Sequence, residues 1–130
     1  GTPKYSHYPI VFKKVLDNRD ILYINILDHT KYTNYGFLDA FVEESTSMKK
    51  IIGKSGKEKK ILENNDLMIV EYYNKDSIKS EDSHPYIYVF SYYYTIDDDF
   101  IFAEYFSKEK LSKDTLDKMS GQIFDRLESF

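Results

Sequence analysis

Tyr86-Ile87-Tyr88-Val89-Phe90-Ser91-Tyr92-Tyr93-Tyr94-Thr95, followed after a short acidic interruption by Phe100-Ile101-Phe102-Ala103-Glu104-Tyr105-Phe106, decides the fold class. Aromatic and β-branched residues at this density favour a pleated, half-buried surface. The intervening Ile96 to Asp99 supplies short acidic side chains that tolerate a turn, so the two runs read as a hairpin. Alternation puts Tyr86, Tyr88, Phe90, Tyr92 and Tyr94 on one side, with Ile87, Val89, Ser91, Tyr93 and Thr95 on the other. The partner strand sets Phe100, Phe102, Glu104 and Phe106 against Ile101, Ala103 and Tyr105. Neither strand shows a plainly polar face, so the sheet they belong to is expected to be covered on both sides.

Working outward, Ile10 to Val15 reads as a short strand closed by Asp17-Asn18-Arg19-Asp20, and Ile21 to Leu27 as a second strand. Pro3 and Pro9 frame an irregular lead-in over 1–9. His29 to Asn34 is a polar connection, with Thr33 or Asn34 placed to cap a helix. Leu38, Phe41, Val42, Ser45 and Met48 recur at helical spacing, and Gly53 stops that helix. Glu58 to Glu63 and Leu67 to Tyr73 read as a hairpin closed at Asn64-Asn65-Asp66. Asn74 to His84 is polar and aperiodic and is expected to be a mobile loop. Leu116, Met119, Ile123, Leu127 and Phe130 form an apolar helical stripe with Ser112 as its cap. The expectation is a single α+β domain over 1–130 in the order ββαββββα. A mainly antiparallel sheet of about six strands would carry a helix on each face, an α/β/α sandwich.

Composition narrows the chemistry. The 130 residues hold 13 Tyr, 9 Phe and no Cys, which removes disulfides, thiolate metal sites and cysteine nucleophiles together. A net charge of −4 argues against a dedicated nucleic-acid binder. No apolar run approaches the length of a membrane span. A membrane tether, if the protein has one, would lie upstream of Gly1. Within 49–60 the charge reverses. Lys49, Lys50, Lys54, Lys57, Lys59 and Lys60 stand against Glu58 alone, a net of +5, and leave −9 for the remainder. Within this stretch, Gly53 to Lys60 is expected to be basic and flexible, with Glu58 opening a strand, and the lysine patch is expected to be a solvated loop.

Motifs that would carry catalysis do not assemble. Gly53-Lys54-Ser55 resembles the end of a phosphate loop, but Met48 stands where the first glycine is required. Asp97-Asp98-Asp99 lacks the alternating spacing of a calcium loop, and His7, His29 and His84 share no metal-ligand spacing. No metal or cofactor is therefore expected. Glu71 and Glu104 interrupt the aromatic side, which makes that side or its rim the expected groove. If the two carboxylates met there, they would suit acid/base work on a sugar ring. Tyrosine joins a large apolar body to a hydroxyl tip and suits interfaces. Tyr86, Tyr88, Tyr92, Tyr94, Glu71 and Glu104 are accordingly the expected binding residues, with the six lysines as a second, basic patch.

The pattern Ile21-Leu22-Tyr23-Ile24-Asn25-Ile26, the segment Phe37-Leu38-Asp39-Ala40-Phe41, Leu67-Met68-Ile69-Val70-Glu71-Tyr72 and Tyr86-Ile87-Tyr88-Val89-Phe90 together resemble the PsbP-like superfamily. So do Phe100-Ile101-Phe102-Ala103 and the closing Arg126-Leu127-Glu128-Ser129-Phe130. That superfamily includes a eukaryotic Ran-binding import factor, the PsbP proteins of the oxygen-evolving complex and bacterial lipoproteins related to DcrB. The resemblance covers about residues 20 to 130. The family's Pro-x-x-Trp segment has no counterpart, since the chain lacks Trp. The resemblance implies a non-enzymatic binding or assembly module with a protein partner, exported in bacteria, periplasmic or at the cell surface ahead of cytoplasmic. Two alternatives stand beside it: a small hydrolase using Glu71 and Glu104, and a cytoplasmic toxin-immunity protein whose acidic surface meets a basic toxin.

Overall fold

The computed structural model describes residues 10–27, 45–79, 85–96 and 99–128. It is an α+β fold with a six-stranded antiparallel sheet and two helices. In chain order the described elements are β1 (Ile10–Val15), β2 (Ile21–Leu27), helix α1 ending over 45–52, β3 (Lys57–Glu63), β4 (Leu67–Lys79), β5 (Pro85–Ile96), β6 (Asp99–Ser107) and α2 (Lys113–Glu128). The expected lead-in over 1–9, the cap at Thr33 or Asn34, and Leu38, Phe41 and Val42 lie outside the described residues. So do His7, His29, His84 and the turn residues Asp97 and Asp98.

The strands lie in the order β1-β2-β6-β5-β4-β3. The stretch from β3 to β6 is a meander, and β2 closes against β6, with Tyr23 opposite Glu104 and Ile24 opposite Ala103. β5 and β6 pair from Tyr88 opposite Ser107 to Ile96 opposite Asp99, the expected hairpin. The β3–β4 turn is held by the Asn64 side chain, whose Oδ1 accepts from the backbone N–H groups of Asp66 and Leu67, each at 2.9 Å. An Asn that bonds its own downstream backbone is what makes Asn64-Asn65-Asp66 a turn and not a strand.

Alternation splits the core in two. Val89 and Tyr93 of β5, Phe102 and Phe106 of β6, and Val70 and Tyr72 of β4 join Met48 and Ile52 of α1 in one buried cluster. Phe90, Tyr92, Tyr94, Ile69, Ile101, Ala103 and Tyr105 join Leu116 and Ile123 of α2 in the other. Burying side chains on both faces explains why neither central strand shows a polar face in sequence.

Two readings change here. First, the polar stretch after Tyr73 is not loop throughout: β4 runs to Lys79, and Asn74 and Ile78 are buried. Pairing with β5 slips between Tyr73, opposite Tyr88, and Ile78, opposite Tyr86. Four residues of β4 therefore face only Ile87, and Ser77 takes a φ of 148°. Bulged strands of this kind carry polar residues without a period-two signal. Residues 80–84 lie outside the description. Second, Tyr86 does not share a side with Tyr88. The same slip turns it into the α1-side cluster, where its ring sits 5.5 Å from Phe106.

Helix ends follow the expected chemistry. Ser112 caps α2, its Oγ accepting from the Thr115 N–H at 3.2 Å, and Asp114 sits in the first turn. Gly53 stops α1 with a φ of 78°, its N–H donating to the Lys49 carbonyl.

Candidate functional site

The tyrosines expected to form an interface mostly hold the molecule together. Tyr92 donates its hydroxyl to the Leu116 carbonyl at 2.9 Å, and Tyr94 donates to the Ser120 carbonyl at 3.0 Å. Both acceptors are backbone carbonyls of α2, and burial pushes both phenols above their ordinary titration range. Tyr86, on the other side, donates to the Arg19 carbonyl at 2.6 Å and pins the β1–β2 turn. The hydroxyls of Tyr72 and Tyr93 meet at 3.2 Å inside the α1-side cluster. Of the expected aromatic set, only Tyr88 is half-exposed, beside the half-exposed Tyr73 at 5.0 Å between ring centroids. Burial, then the Glu71 charge, then Tyr73 raise its phenol.

Glu71 and Glu104 are not brought together. Glu71 lies opposite Phe90 and takes that residue's side of the sheet. Glu104 lies opposite Ser91 and Tyr23 and takes the other. Strand parity alone puts both on the aromatic side, with Phe100, Phe102 and Glu104 of β6 facing that way. The register instead puts Ile101, Ala103 and Tyr105 there. Glu71 is 6 % exposed and its Oε1 has no hydrogen-bond partner among the described residues.

A buried carboxylate that sequence reasoning missed is Asp20. It accepts from the Tyr105 hydroxyl at 2.7 Å and from Asn18 Nδ2 at 3.0 Å, both on Oδ2. The signal was the Asn18-Arg19-Asp20 turn itself, whose Asn18 Oδ1 also accepts the Asp20 N–H. Asp20 is thus part of a structural knot, with its oxygen already engaged. Among the described residues there is no group of three or more His, Cys, Asp or Glu side chains able to hold a metal ion. No described helix is long and apolar enough to cross a membrane.

The lysines sit on regular elements more than in the flexible loop expected, since β3 begins already at Lys57. Lys49 and Lys50 occupy the last turn of α1, where cations oppose the carbonyl end of the helix. Lys54 lies in the turn, and Lys57, Lys59 and Lys60 stand on β3, the strand at one edge of the sheet. All six are exposed. Lys49 pairs with Glu58 at 3.6 Å and Lys60 with Glu63 at 3.0 Å. Lys50, Lys54, Lys57 and Lys59 have no ion-pair partner among the described residues.

Register sorts the strand lysines by face. Lys57 lies opposite Tyr73 and Lys59 opposite Glu71, so both take the α2 side, whereas Lys60 lies opposite Val70 and takes the α1 side. On that α1 side a cleft of about 500 Å³ opens between Ser45, Thr46 and Lys49 of the helix and Glu58 and Lys60 of β3, floored by Val70 and Tyr72. Depressions of about 350 and 450 Å³ flank α2, around Tyr105 and Met119 and around Tyr94 and Phe124. The cleft itself is lined by the paired Lys49 and Lys60, while Lys50, Lys54, Lys57 and Lys59 stand around the same edge, at the end of α1, in the Gly53 turn and on the other face of β3. Comparison with protein-family models, with curated proteins and with solved structures finds no match.

Proposed function

We propose that the protein is a non-enzymatic binding module whose contact surface is the lysine-bearing rim formed by the end of α1, the Gly53 turn and edge strand β3. The observation that carries this is the set of four exposed lysines, Lys50, Lys54, Lys57 and Lys59, without an ion-pair partner among the described residues, gathered on one rim of a chain that is net −9 outside 49–60. Uncompensated like charge costs folding energy through self-repulsion, and it is relieved when an acidic partner covers it. The tyrosine strand does not serve as the contact face in this reading, since the hydroxyls of Tyr92 and Tyr94 are spent on α2. Separation of Glu71 from Glu104 removes the motive for a hydrolase built on that pair.

The finer architecture proposed with it is the sandwich in which α1 covers one sheet face and α2 the other. Its support is the division of Met48 and Ile52 from Leu116 and Ile123 between the two buried clusters. Export as a bacterial lipoprotein domain of the PsbP-like kind rests on the sequence resemblance alone. The test of function is a pull-down from native lysate with the wild type and with a Lys50→Glu/Lys54→Glu/Lys57→Glu/Lys59→Glu variant of unchanged circular dichroism. A partner held by the wild type and released by the variant is the expected outcome. The same partners on both baits would place the contact surface elsewhere.

A further inference from the structure

β3 is the last strand of the sheet, and its exposure pattern shows how open that edge is: Lys57, Glu58, Lys59 and Lys60 are all exposed, with only Ile61 and Leu62 partly covered. No described strand pairs with its outer side. About half of its backbone N–H and C=O groups therefore point away from β4, because alternate residues of an antiparallel strand bond to opposite neighbours. An edge left in this state is a template for another strand. Lysine on such an edge repels a second basic edge, and this chain's other edge strand, β1, carries exposed Lys13 and Lys14. It does not repel an acidic one.

Resting on the reading of the lysine rim as the contact surface, we propose that the partner is an extended acidic segment that adds as a seventh strand along β3. Lys57 and Lys59 share one face and stand about 7 Å apart, two residues along a strand. Carboxylates at alternate positions of an added strand come within about 5 Å of them, the distance of directly opposed cross-strand side chains. Main-chain hydrogen bonds supply the affinity, and Lys57 and Lys59 select the sign of the partner and fix its facing. Glu58 on the opposite face is already tied to Lys49, so it does not oppose the incoming charge. A nucleic acid fits this geometry less well. It would need a track of phosphate contacts, yet the chain beyond 49–60 is net −9.

The experiment uses fluorescence anisotropy with a labelled peptide alternating Glu and Val over eight residues. Two further versions are N-methylated, on every Glu in one and on every Val in the other, and a twelve-residue oligo-thymidine is the polyanion control. Expected is saturable binding of the parent peptide, weakened by salt, with at least a tenfold loss for at least one methylated version. The Lys57→Glu/Lys59→Glu variant should lose the peptide at least tenfold and gain a peptide alternating Lys and Val. If both methylated versions bind like the parent while the variant still loses them, strand addition is overturned and the lysine surface stands. If the variant binds the parent peptide like the wild type, or the wild type binds none of the peptides, the lysine surface falls as well. Tighter binding of the oligonucleotide than of the peptide overturns the proposal in favour of a polyanion site. The methylation and salt arms use the wild type alone and need no variant to fold.

Discussion

At the scale of single residues, the tyrosines of β5 divide by what their hydroxyls do. Tyr92 gives its proton to a helix carbonyl inside the α2-side cluster, where the phenol ring is fully buried. Tyr92→Phe keeps the ring and removes the bond, leaving the Leu116 carbonyl without that donor. It should cost about 1 kcal/mol, the usual net worth of a buried neutral hydrogen bond. Urea unfolding should show a lower midpoint at unchanged slope, with peptide binding at β3 unaffected. The same burial has a pH consequence. Tyr92 and Tyr94 titrate above the ordinary 10.0 in the fold, so at higher pH the native state holds protons that the unfolded chain has released. Stability from these groups is complete below pH 10.0 and falls as pH rises above it, by up to ~1.4 kcal/mol per pH unit for each phenol. Denaturation midpoints at pH 9, 10 and 11 should drop steeply only over the last interval, and Tyr92→Phe should drop less. Tyrosinate absorbance from these two rings should appear together with unfolding and not before it.

At the scale of elements, the central hairpin was legible because period-two aromatics and an acidic turn leave no competing reading, and Ser112 and Gly53 announced their helix ends through local backbone chemistry. Legibility failed where parity was interrupted. Nothing in Asn74-Lys75-Asp76-Ser77 reports that the strand persists, because its polar groups are satisfied by a bulge and not by alternation. That bulge moved Tyr86 across the sheet. Glu104 was misplaced for a different reason: facing across a hairpin depends on register, which the turn sets and composition does not. The site was half legible, since the lysine run is plain in sequence while its division over a helix end and two faces of an edge strand is not. Asn74 is the residue that makes the bulge pay structurally. Its Nδ2 donates to the Ile52 carbonyl at 2.6 Å, closing the end of α1, and its Oδ1 accepts the Asp76 N–H at 2.9 Å. Asn74→Ala removes both bonds and strands a buried carbonyl, a loss of about 1–3 kcal/mol. Hydrogen exchange should speed up over 45–52 and 74–79 before the β5–β6 hairpin is touched. Uniform loss of protection across the sheet would contradict a local tie.

At the scale of the whole molecule, the described sheet ends in β1 and β3, and both carry exposed lysines. β1 shows Lys13, Lys14 and Val15 to solvent, and β3 shows Lys57, Lys59 and Lys60. Copies that approach edge to edge therefore meet like charge whichever edges are chosen, and this protects an open sheet from polymerising through its own strands. The wild type should sediment as one species over a wide concentration range, above all at low salt where repulsion is strongest. Lys57→Glu/Lys59→Glu turns the molecule into one with an acidic edge and a basic edge. The acidic β3 of one copy then suits the basic β1 of the next, much as it suits a lysine peptide. Such a contact joins two different surfaces and has no reason to close, so it propagates as an open chain. Sedimentation velocity should show the variant as a concentration-dependent series of larger species that salt dissolves, with native circular dichroism throughout. Adding Lys13→Glu/Lys14→Glu makes both edges acidic in charge-bearing positions and should restore the single species. A variant series that stays at one sedimentation coefficient at every concentration would mean that the edges do not meet, and charge would then not be what keeps the wild-type strands apart.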